Sequence, residues 1–272
     1  MENRPLVVVK GAGDLATGVG VRLRRVGFRV IMTEIARPTP VRRTVAFAEA
    51  VYDGSALVED VQAVLVQNAA EALAAVADGL VAVVVDPEAR IVGGLMPPLL
   101  VDAIIGKRNL GTRLADAPAV VALGPGFVAG LDCHAVVETM RGHTLGRVLY
   151  EGAAIPNTGI PGEIGGKGAE RVIRSPREGV FQATRAIGDQ VAAGDVVGTV
   201  EGEPVRALID GVLRGLLRSG LQVTPGFKTG DVDPRAAREH CFTISDKALA
   251  VAGGVLEAAG ALLGGYRIAE IV

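Results

Sequence analysis

The chain has 272 residues, 49% of them hydrophobic and 3% aromatic, which is enough apolar material for one large domain or two ordinary ones. The 28 basic and 30 acidic residues leave a net charge of −2, so no global field draws nucleic acid or anionic lipid to the surface. With two cysteines and no signal-peptide pattern at its start, the sequence excludes a disulfide scaffold and predicts a cytoplasmic protein that does not enter the membrane.

Apolar runs of strand length alternate with segments of helical period through the first half of the chain. Buried strands alternating with helices are typical of a parallel, doubly wound sheet, so residues 1–155 are predicted to form a Rossmann-like α/β domain that binds a nucleotide or another anion. The predicted strands cover residues 7–9, 29–33, 63–66, 80–85, 99–105 and 119–123, followed by two shorter ones at 135–139 and 146–150.

Residues 156–170 are rich in glycine and proline and are predicted to be a linker or a functional loop. An internal repeat follows, because Gly179, Gly188 and Gly194 recur 32 positions later as Gly211, Gly220 and Gly226. Residues 171–235 are therefore predicted to form a small β barrel-sandwich hybrid of the biotinyl/lipoyl kind, and residues 236–272 a C-terminal helical segment. The hairpin at 201–204 lacks a lysine, so we expect no covalent biotin or lipoate.

A glycine-rich turn after the first predicted strand fits the pattern G-x-G-x-x-G/A through Gly11, Gly13 and Ala16. Such a turn lets the backbone approach a pyrophosphate at a helix N-terminus, and Glu34, at the end of the second strand, stands where a ribose-binding acid belongs. The alternative is a purely structural turn. Arg42 and Arg43 follow Glu34 and could hold a phosphate, or form a solvated basic loop.

Three later loops, each following an apolar strand, carry further candidate groups. Ligands bind at the carboxyl ends of strands in open α/β sheets, so these loops are expected to meet the glycine turn in one basic pocket. Their candidate binding residues are Lys107, Arg108, Asn109, Gly124, Gly126, Arg141 and His143.

Cys133 and His134 are adjacent and raise the alternatives of a nucleophile, a general base or a metal ligand. Neighbouring residues in a strand point to opposite faces, so the pair does not form a catalytic unit, and a hydrogen-bonded structural histidine is favoured. The three histidines of the chain are too scattered for a recognisable metal motif, and we expect no metal site.

Several blocks taken together resemble a known family. They are GAGDLATGVGVRL, TEIARPTPVRRTVAFAEAVYDG, KRNLGT, ALGPGFVAG, VVETMRGHTLGRV, PNTGIPG and ISDKALAVAGGVLEA, and they cover nearly the whole chain. Their order resembles the YqeB-type accessory proteins of selenium-dependent molybdenum hydroxylase systems, and the front half is loosely similar to the Rossmann domain of the XdhC type.

The resemblance implies a maturation protein for a molybdenum hydroxylase, which would be its partner. Such a protein would bind molybdenum cofactor, as molybdopterin or its nucleotide form, or another small anionic nucleotide, for insertion, sulfuration or selenation. It implies no catalytic residue. An NAD(P)-dependent oxidoreductase and a non-catalytic interaction module stay open as alternatives, and the sequence leaves the oligomeric state undetermined.

Overall fold

The computed structural model describes residues 4–264, so the first three residues of the predicted first domain and the last eight of the predicted C-terminal segment lie outside it. The chain divides into two compact units. The described part of the first unit comprises residues 4–38, 46–157 and 244–264, and the second comprises 39–45 and 158–243. No helix of the described chain is long and apolar enough to cross a membrane.

A nine-stranded sheet forms the centre of the first unit. Its strands are β1 (Leu6–Lys10), β2 (Arg29–Glu34), β3 (Ser55–Val58), β4 (Val61–Val66), β5 (Val81–Val85), β6 (Leu99–Asp102), β7 (Ala119–Leu123), β9 (Ala135–Val137) and β10 (Val148–Leu149). They are arranged in the order β10-β9-β7-β6-β1-β2-β5-β4-β3. The seven central strands pair in parallel, whereas β3 and β10 run antiparallel at the two edges. A separate two-stranded sheet joins β8 (Val128–Ala129) to β11 (Gly152–Ala153).

The central strands are mainly apolar because both faces of a parallel sheet are covered. In β1 and β7 every residue is buried. The helices of this unit are α1 (Asp14–Arg25), α2 (Ala50–Asp53), α3 (Ala69–Ala77), α4 (Ile91–Leu95) and α5 (Asp246–Leu262). α1 and α5 pack closely, since a Cβ on Gly18 would lie 2.8 Å from that of Ala248.

Two four-stranded antiparallel sheets form the second unit. Their strands are β12 (Val172–Arg174), β13 (Gly179–Ala183), β14 (Gln190–Val191), β15 (Val196–Val200), β16 (Glu203–Arg206), β17 (Gly211–Leu216), β18 (Leu221–Val223) and β19 (Lys228–Asp233). The orders are β12-β19-β17-β14 and β16-β15-β13-β18. The repeat is visible in the pairing, because β13 pairs with β18 while its counterpart β17 pairs with β14. Gly179 and Gly211, one repeat apart, have φ angles of 144° and 153°.

Buried charges hold the second unit together. Arg171 and Arg214 both donate to the carboxylate of Asp231, at 2.7 and 2.6 Å, and Arg235 donates to Asp233 at 2.7 Å. Burial alone would raise the pKa of Asp233, but hydrogen bonds from Arg235 and the charge of Arg214 lower it to about 2. The network matches each buried carboxylate with guanidinium donors, which is the condition under which buried charge is tolerated.

The fold prediction, a Rossmann-like doubly wound parallel sheet followed by a biotinyl/lipoyl-like module and a terminal helix, is wrong. The large sheet is mixed, because the two edge strands reverse direction. The chain forms four sheets in all over residues 4–264. The last helix, α5, belongs to the first unit and packs on α1, since its small residues match the small residues of that helix.

Candidate functional site

The order of the strands reverses between β1 and β6. From β1 the chain passes through α1 to β2 on one side, whereas β6 lies on the other side and leads onward to β7. The loops that follow β1 and β6 therefore leave the sheet in opposite directions and open a crevice at its carboxyl edge. In open α/β sheets this is the place where ligands bind.

A buried polar cluster of Lys10, Asp102 and Thr112 stands at this reversal. Lys10 ends β1 directly opposite Asp102, which ends β6. The Lys10 Nζ donates to the Thr112 Oγ1 at 2.6 Å, and the Thr112 hydroxyl donates to the Asp102 Oδ2 at 2.5 Å. All three side chains are almost fully buried. Burying a lysine and an aspartate is costly unless each is paired and hydrogen-bonded, and here both conditions hold.

A cavity of about 360 Å³ adjoins the cluster within the first unit. Lys10 and Leu100 form its wall on the sheet, Ala89 and Arg90 border it where α4 begins, and Arg113 follows Thr112 at its opening. Arg90 is paired with Glu88 at 2.7 Å, and both side chains are largely exposed. The Arg113 guanidinium makes no ion pair with any residue between 4 and 264. The cavity thus combines a buried ammonium, an apolar wall and an unpaired guanidinium with the carboxylates of Glu88 and Asp116.

The backbone is strained at Ala89, which lines the cavity, and at two residues of the loop that follows β6. Ala89 has a φ of 52°, Ile105 of 58° and Lys107 of 60°, all in the left-handed region that side chains disfavour. A β-branched residue such as Ile105 is a marked outlier there. Strain of this kind costs on the order of 1–3 kcal/mol per residue and is concentrated at functional sites. The loop after β6 is therefore held in an unusual conformation, and its later residues Gly111 and Arg113 line the cavity.

The Gly11–Gly13 turn lies at the same edge. Gly11 has a φ of 92°, and a Cβ on it would lie 3.1 Å from the carbonyl oxygen of Ala103, so only glycine fits. The backbone N–H of Ala12 donates to the Glu34 Oε2 at 2.9 Å, and the other carboxylate oxygen accepts from Ile35. Burial raises the pKa of Glu34, while these two N–H groups oppose the shift. An internal carboxylate thus occupies a turn N–H that a phosphate would need, and Ala16 is buried inside α1.

The structure brings two of the predicted loops against each other at this edge. A Cβ on Gly126 would lie 2.6 Å from the Cα of Arg108, and Gly124 packs against Thr139. Lys107 and Arg108 are exposed and have no ion-pair partner among residues 4–264. Asn109 stabilises its own loop, because its Oδ1 accepts from the N–H groups of Gly111 and Thr112 at 2.9 and 2.8 Å.

Other predicted site residues are engaged elsewhere. Arg42 is buried and donates to the carbonyls of His240 and Thr243, and Arg43 donates to the carbonyl of Leu216, all within the second unit. Arg141 makes a bidentate ion pair with Asp246 at 2.7 and 2.8 Å. The structure thus gives these three arginines structural partners in place of the phosphates expected from the sequence. His143 is exposed.

Cys133 and His134 have structural environments. The Cys133 thiol is buried, and burial, with a contribution from the charge of Asp132, raises its pKa to about 12. The His134 Nδ1 accepts from the backbone N–H of Val120 at 3.0 Å. Within residues 4–264 no three His, Cys, Asp or Glu side chains are grouped so that they could hold a metal ion.

The sequence reasoning passed over Lys10, Asp102 and Thr112. Lys10 and Thr112 are 102 positions apart, and no local spacing connects them. A usable signal was present all the same, because Lys10 and Asp102 each end a run of wholly apolar residues. A charge at the end of a buried strand has to meet a partner or a ligand.

Comparison with known proteins gives one close relative. The uncharacterized protein YqeB of Escherichia coli (strain K12) is 51% identical over 253 residues, which make up 93% of this chain and 47% of that protein. The chain thus spans about half the length of the curated relative it matches. No family model matches the chain.

Solved structures superpose only loosely. An aspartoacylase family protein from Mesorhizobium loti covers 84% of both chains at 13% identity with a TM-score of 0.26. The apo form of the ectoine utilization protein EutE (DoeB) from Ruegeria pomeroyi covers 84% of this chain and 86% of its own at 10% identity, with a TM-score of 0.24. Superpositions at this level carry no argument about the activity of this chain.

These findings correct part of what the resemblance implied. The relative is named as an uncharacterized protein, so its name supports neither a molybdenum cofactor nor selenium. The mixed sheet removes the Rossmann assignment, and the Glu34 carboxylate on the turn N–H removes the argument for a nucleotide-binding turn. The description as a nucleotide-binding molybdenum-cofactor protein is withdrawn. The maturation role toward a molybdenum hydroxylase stays a prediction without support from these comparisons.

Proposed function

We propose that this chain binds a small anionic molecule in the cavity at the carboxyl edge of the nine-stranded sheet. The observation that carries the proposal is that two cations line this one cavity. Lys10 is buried in its wall, and Arg113 presents an unpaired guanidinium at its opening. A guanidinium presents a planar fork of donors that matches a carboxylate or phosphate. The crevice at the strand reversal and the strained loop after β6 support the same location.

The size of the cavity favours a small ligand. Ligand pockets usually measure about 300–1,000 Å³, and the cavity, at about 360 Å³, is near the lower limit. With about 30 Å³ per water molecule in the liquid, it has room for roughly a dozen waters. Lys107 and Arg108, exposed at the same edge, add positive charge that attracts an anion toward the opening.

Isothermal titration with inorganic phosphate at constant ionic strength tests this function. We expect saturable binding by the full chain that Arg113→Gln weakens by about tenfold, the value of one charge-assisted contact. Arg147→Gln, an exposed arginine of the same unit outside the cavity, is the matched control and should leave the affinity unchanged. Equal affinities in all three proteins, or no saturable binding, would contradict the proposal.

A further inference from the structure

The two cations of the cavity differ in what they can offer a ligand. Lys10 already has a carboxylate beside it, because the Asp102 Oδ2 is 3.4 Å from its Nζ. The charge of the ammonium is therefore balanced inside the protein. Arg113 has no ion-pair partner among residues 4–264, so its guanidinium can pair with a ligand, although the Asp116 carboxylate, which accepts from the Arg113 backbone N–H, lines the same cavity.

Lys10 nevertheless keeps one hydrogen-bond donor for the cavity. An ammonium carries three N–H groups. The Thr112 hydroxyl accepts one of them at 2.6 Å, and the Asp102 Oδ2 is an ion-pair partner 3.4 Å from the Nζ. Asp102 accepts elsewhere as well, from the Thr112 hydroxyl and from the N–H of Ile104 at 3.2 Å. Because Asp102 balances its charge, an N–H of Lys10 that Thr112 does not take suits an uncharged acceptor, such as a carbonyl or hydroxyl oxygen, better than a second anion.

We infer that the ligand is a short-chain carboxylate with an oxygen acceptor on its carbon chain, an oxo acid or a hydroxy acid. Its carboxylate lies on Arg113 and its carbonyl or hydroxyl oxygen on the Nζ of Lys10. Arg113 follows Thr112 directly, Thr112 accepts from the Lys10 Nζ, and both cations line the cavity. The apolar wall formed by Leu100 and Ala89 accommodates the carbon chain. This inference rests on the proposed function and names the class of ligand.

Titration of the full chain with sodium butyrate, 2-oxobutyrate and 2-hydroxybutyrate at constant ionic strength tests the inference. The three compounds have the same number of carbons and one carboxylate each, and they differ in the chain oxygen. We expect either the oxo or the hydroxy acid to bind about tenfold more tightly than butyrate, because a hydrogen bond from a charged donor is added. The tighter of the two identifies the acceptor as a carbonyl or a hydroxyl.

Variants separate the roles of the two cations. Arg113→Gln should weaken the binding of all three compounds by a similar factor and keep the ratio of their affinities. Lys10→Met combined with Asp102→Asn removes both buried charges and should abolish the difference in affinity between butyrate and the oxo or hydroxy acid. Thr112→Val removes the acceptor that positions the Nζ and should reduce the ratio of the affinities. This variant replaces the double variant as the test if the double variant does not fold.

The outcomes distinguish this inference from the proposed function. Saturable phosphate binding that depends on Arg113, together with equal affinities for the three compounds, overturns the inference and leaves the proposed function standing. A ratio that survives in a folded Lys10→Met/Asp102→Asn protein also overturns it. Absence of any anion binding overturns both.

Discussion

The Nζ of Lys10 lies 3.4 Å from the Oδ2 of Asp102, and both side chains are almost fully buried. The two residues are direct neighbours across β1 and β6, so the register of the sheet fixes their pairing. Lys10→Met alone leaves the Asp102 carboxylate buried without its partner. We expect a loss of about 3–5 kcal/mol in the free energy of unfolding, the usual result of removing one member of a buried pair.

Adding Asp102→Asn to Lys10→Met should restore most of that stability, since no unpaired charge then remains buried. Urea denaturation measures both effects. Lys228→Met, at an exposed lysine, is the control and should change stability by less than about 0.5 kcal/mol. A Lys10→Met protein as stable as the wild type would show that water reaches the cluster.

The two glycines of the Gly11–Gly13 turn differ in how strictly the backbone requires glycine. Gly11 has a φ of 92° and closely approaches Ala103, whereas a Cβ on Gly13 would meet nothing within 4 Å. Gly11→Ala should therefore cost about 1–3 kcal/mol through backbone strain, and Gly13→Ala less than about 1 kcal/mol. Thermal or urea unfolding compares the two variants directly. Equal losses would mean that the turn rearranges when Gly11 is replaced.

The pKa of Asp233 predicts a loss of stability in acid. Its folded value of about 2 is below the ordinary value of 3.8, so the folded protein holds this carboxyl ionised more firmly than the unfolded chain does. The resulting stability is complete above pH 4 to 5 and is lost as the pH falls toward 2. At 1.36 kcal/mol per pKa unit it amounts to about 2 kcal/mol.

Urea unfolding at a series of pH values tests this estimate. Between pH 5 and 2, Asp233→Asn should lose about 2 kcal/mol less than the wild type does, because the variant no longer has the group that titrates. Glu203→Gln, at an exposed carboxylate of the same unit, should follow the wild-type profile. Parallel profiles for all three proteins would assign the acid sensitivity to other groups.

Both thiols should be inert in the folded protein. Burial raises the pKa of Cys133 to about 12 and also raises that of Cys241, and both side chains are shielded from reagents. The thiolate is the reactive form, so neither should react with a disulfide reagent at pH 8 until denaturant is added. Ser55→Cys, which places a thiol at an exposed position, should react at once. Rapid reaction of the native wild type would indicate local opening around one of the two cysteines.

Apolar patterning predicted the centre of the large sheet better than its edges. The predicted strand at 119–123 coincides with β7 and that at 29–33 lies within β2, because strands buried at the centre of a sheet consist mainly of apolar runs. The edge strands β3 and β10 are short and partly exposed, and nothing in their sequences indicates their direction. Those two strands make the sheet mixed, so the features that decide the fold class are the ones with the weakest pattern.

The candidate site was predictable to a lesser extent. The carboxyl edge of the sheet was expected to bind a ligand, and Gly11 and Arg108 do lie there. The expected phosphate turn fails because Glu34, chosen as a ribose ligand, reaches the N–H of Ala12 instead. Tertiary contacts of this kind also divert Arg42 to backbone carbonyls. Sequence spacing indicates which residues end a strand, but not which neighbour satisfies them.

The interleaving of the two units has a consequence for how the chain folds during synthesis. The short segment 39–45 belongs to the second unit, where the carbonyl of Val41 accepts from the N–H of Leu216 at 2.8 Å. Helix α5, made after the whole second unit, is in turn needed to cover α1. Domains are usually completed in order as they leave the ribosome. Here the early segment has to wait for β17, and the first unit stays incomplete until α5 has been translated, so a ribosome that stops between the two releases a chain in which the first unit is unfinished.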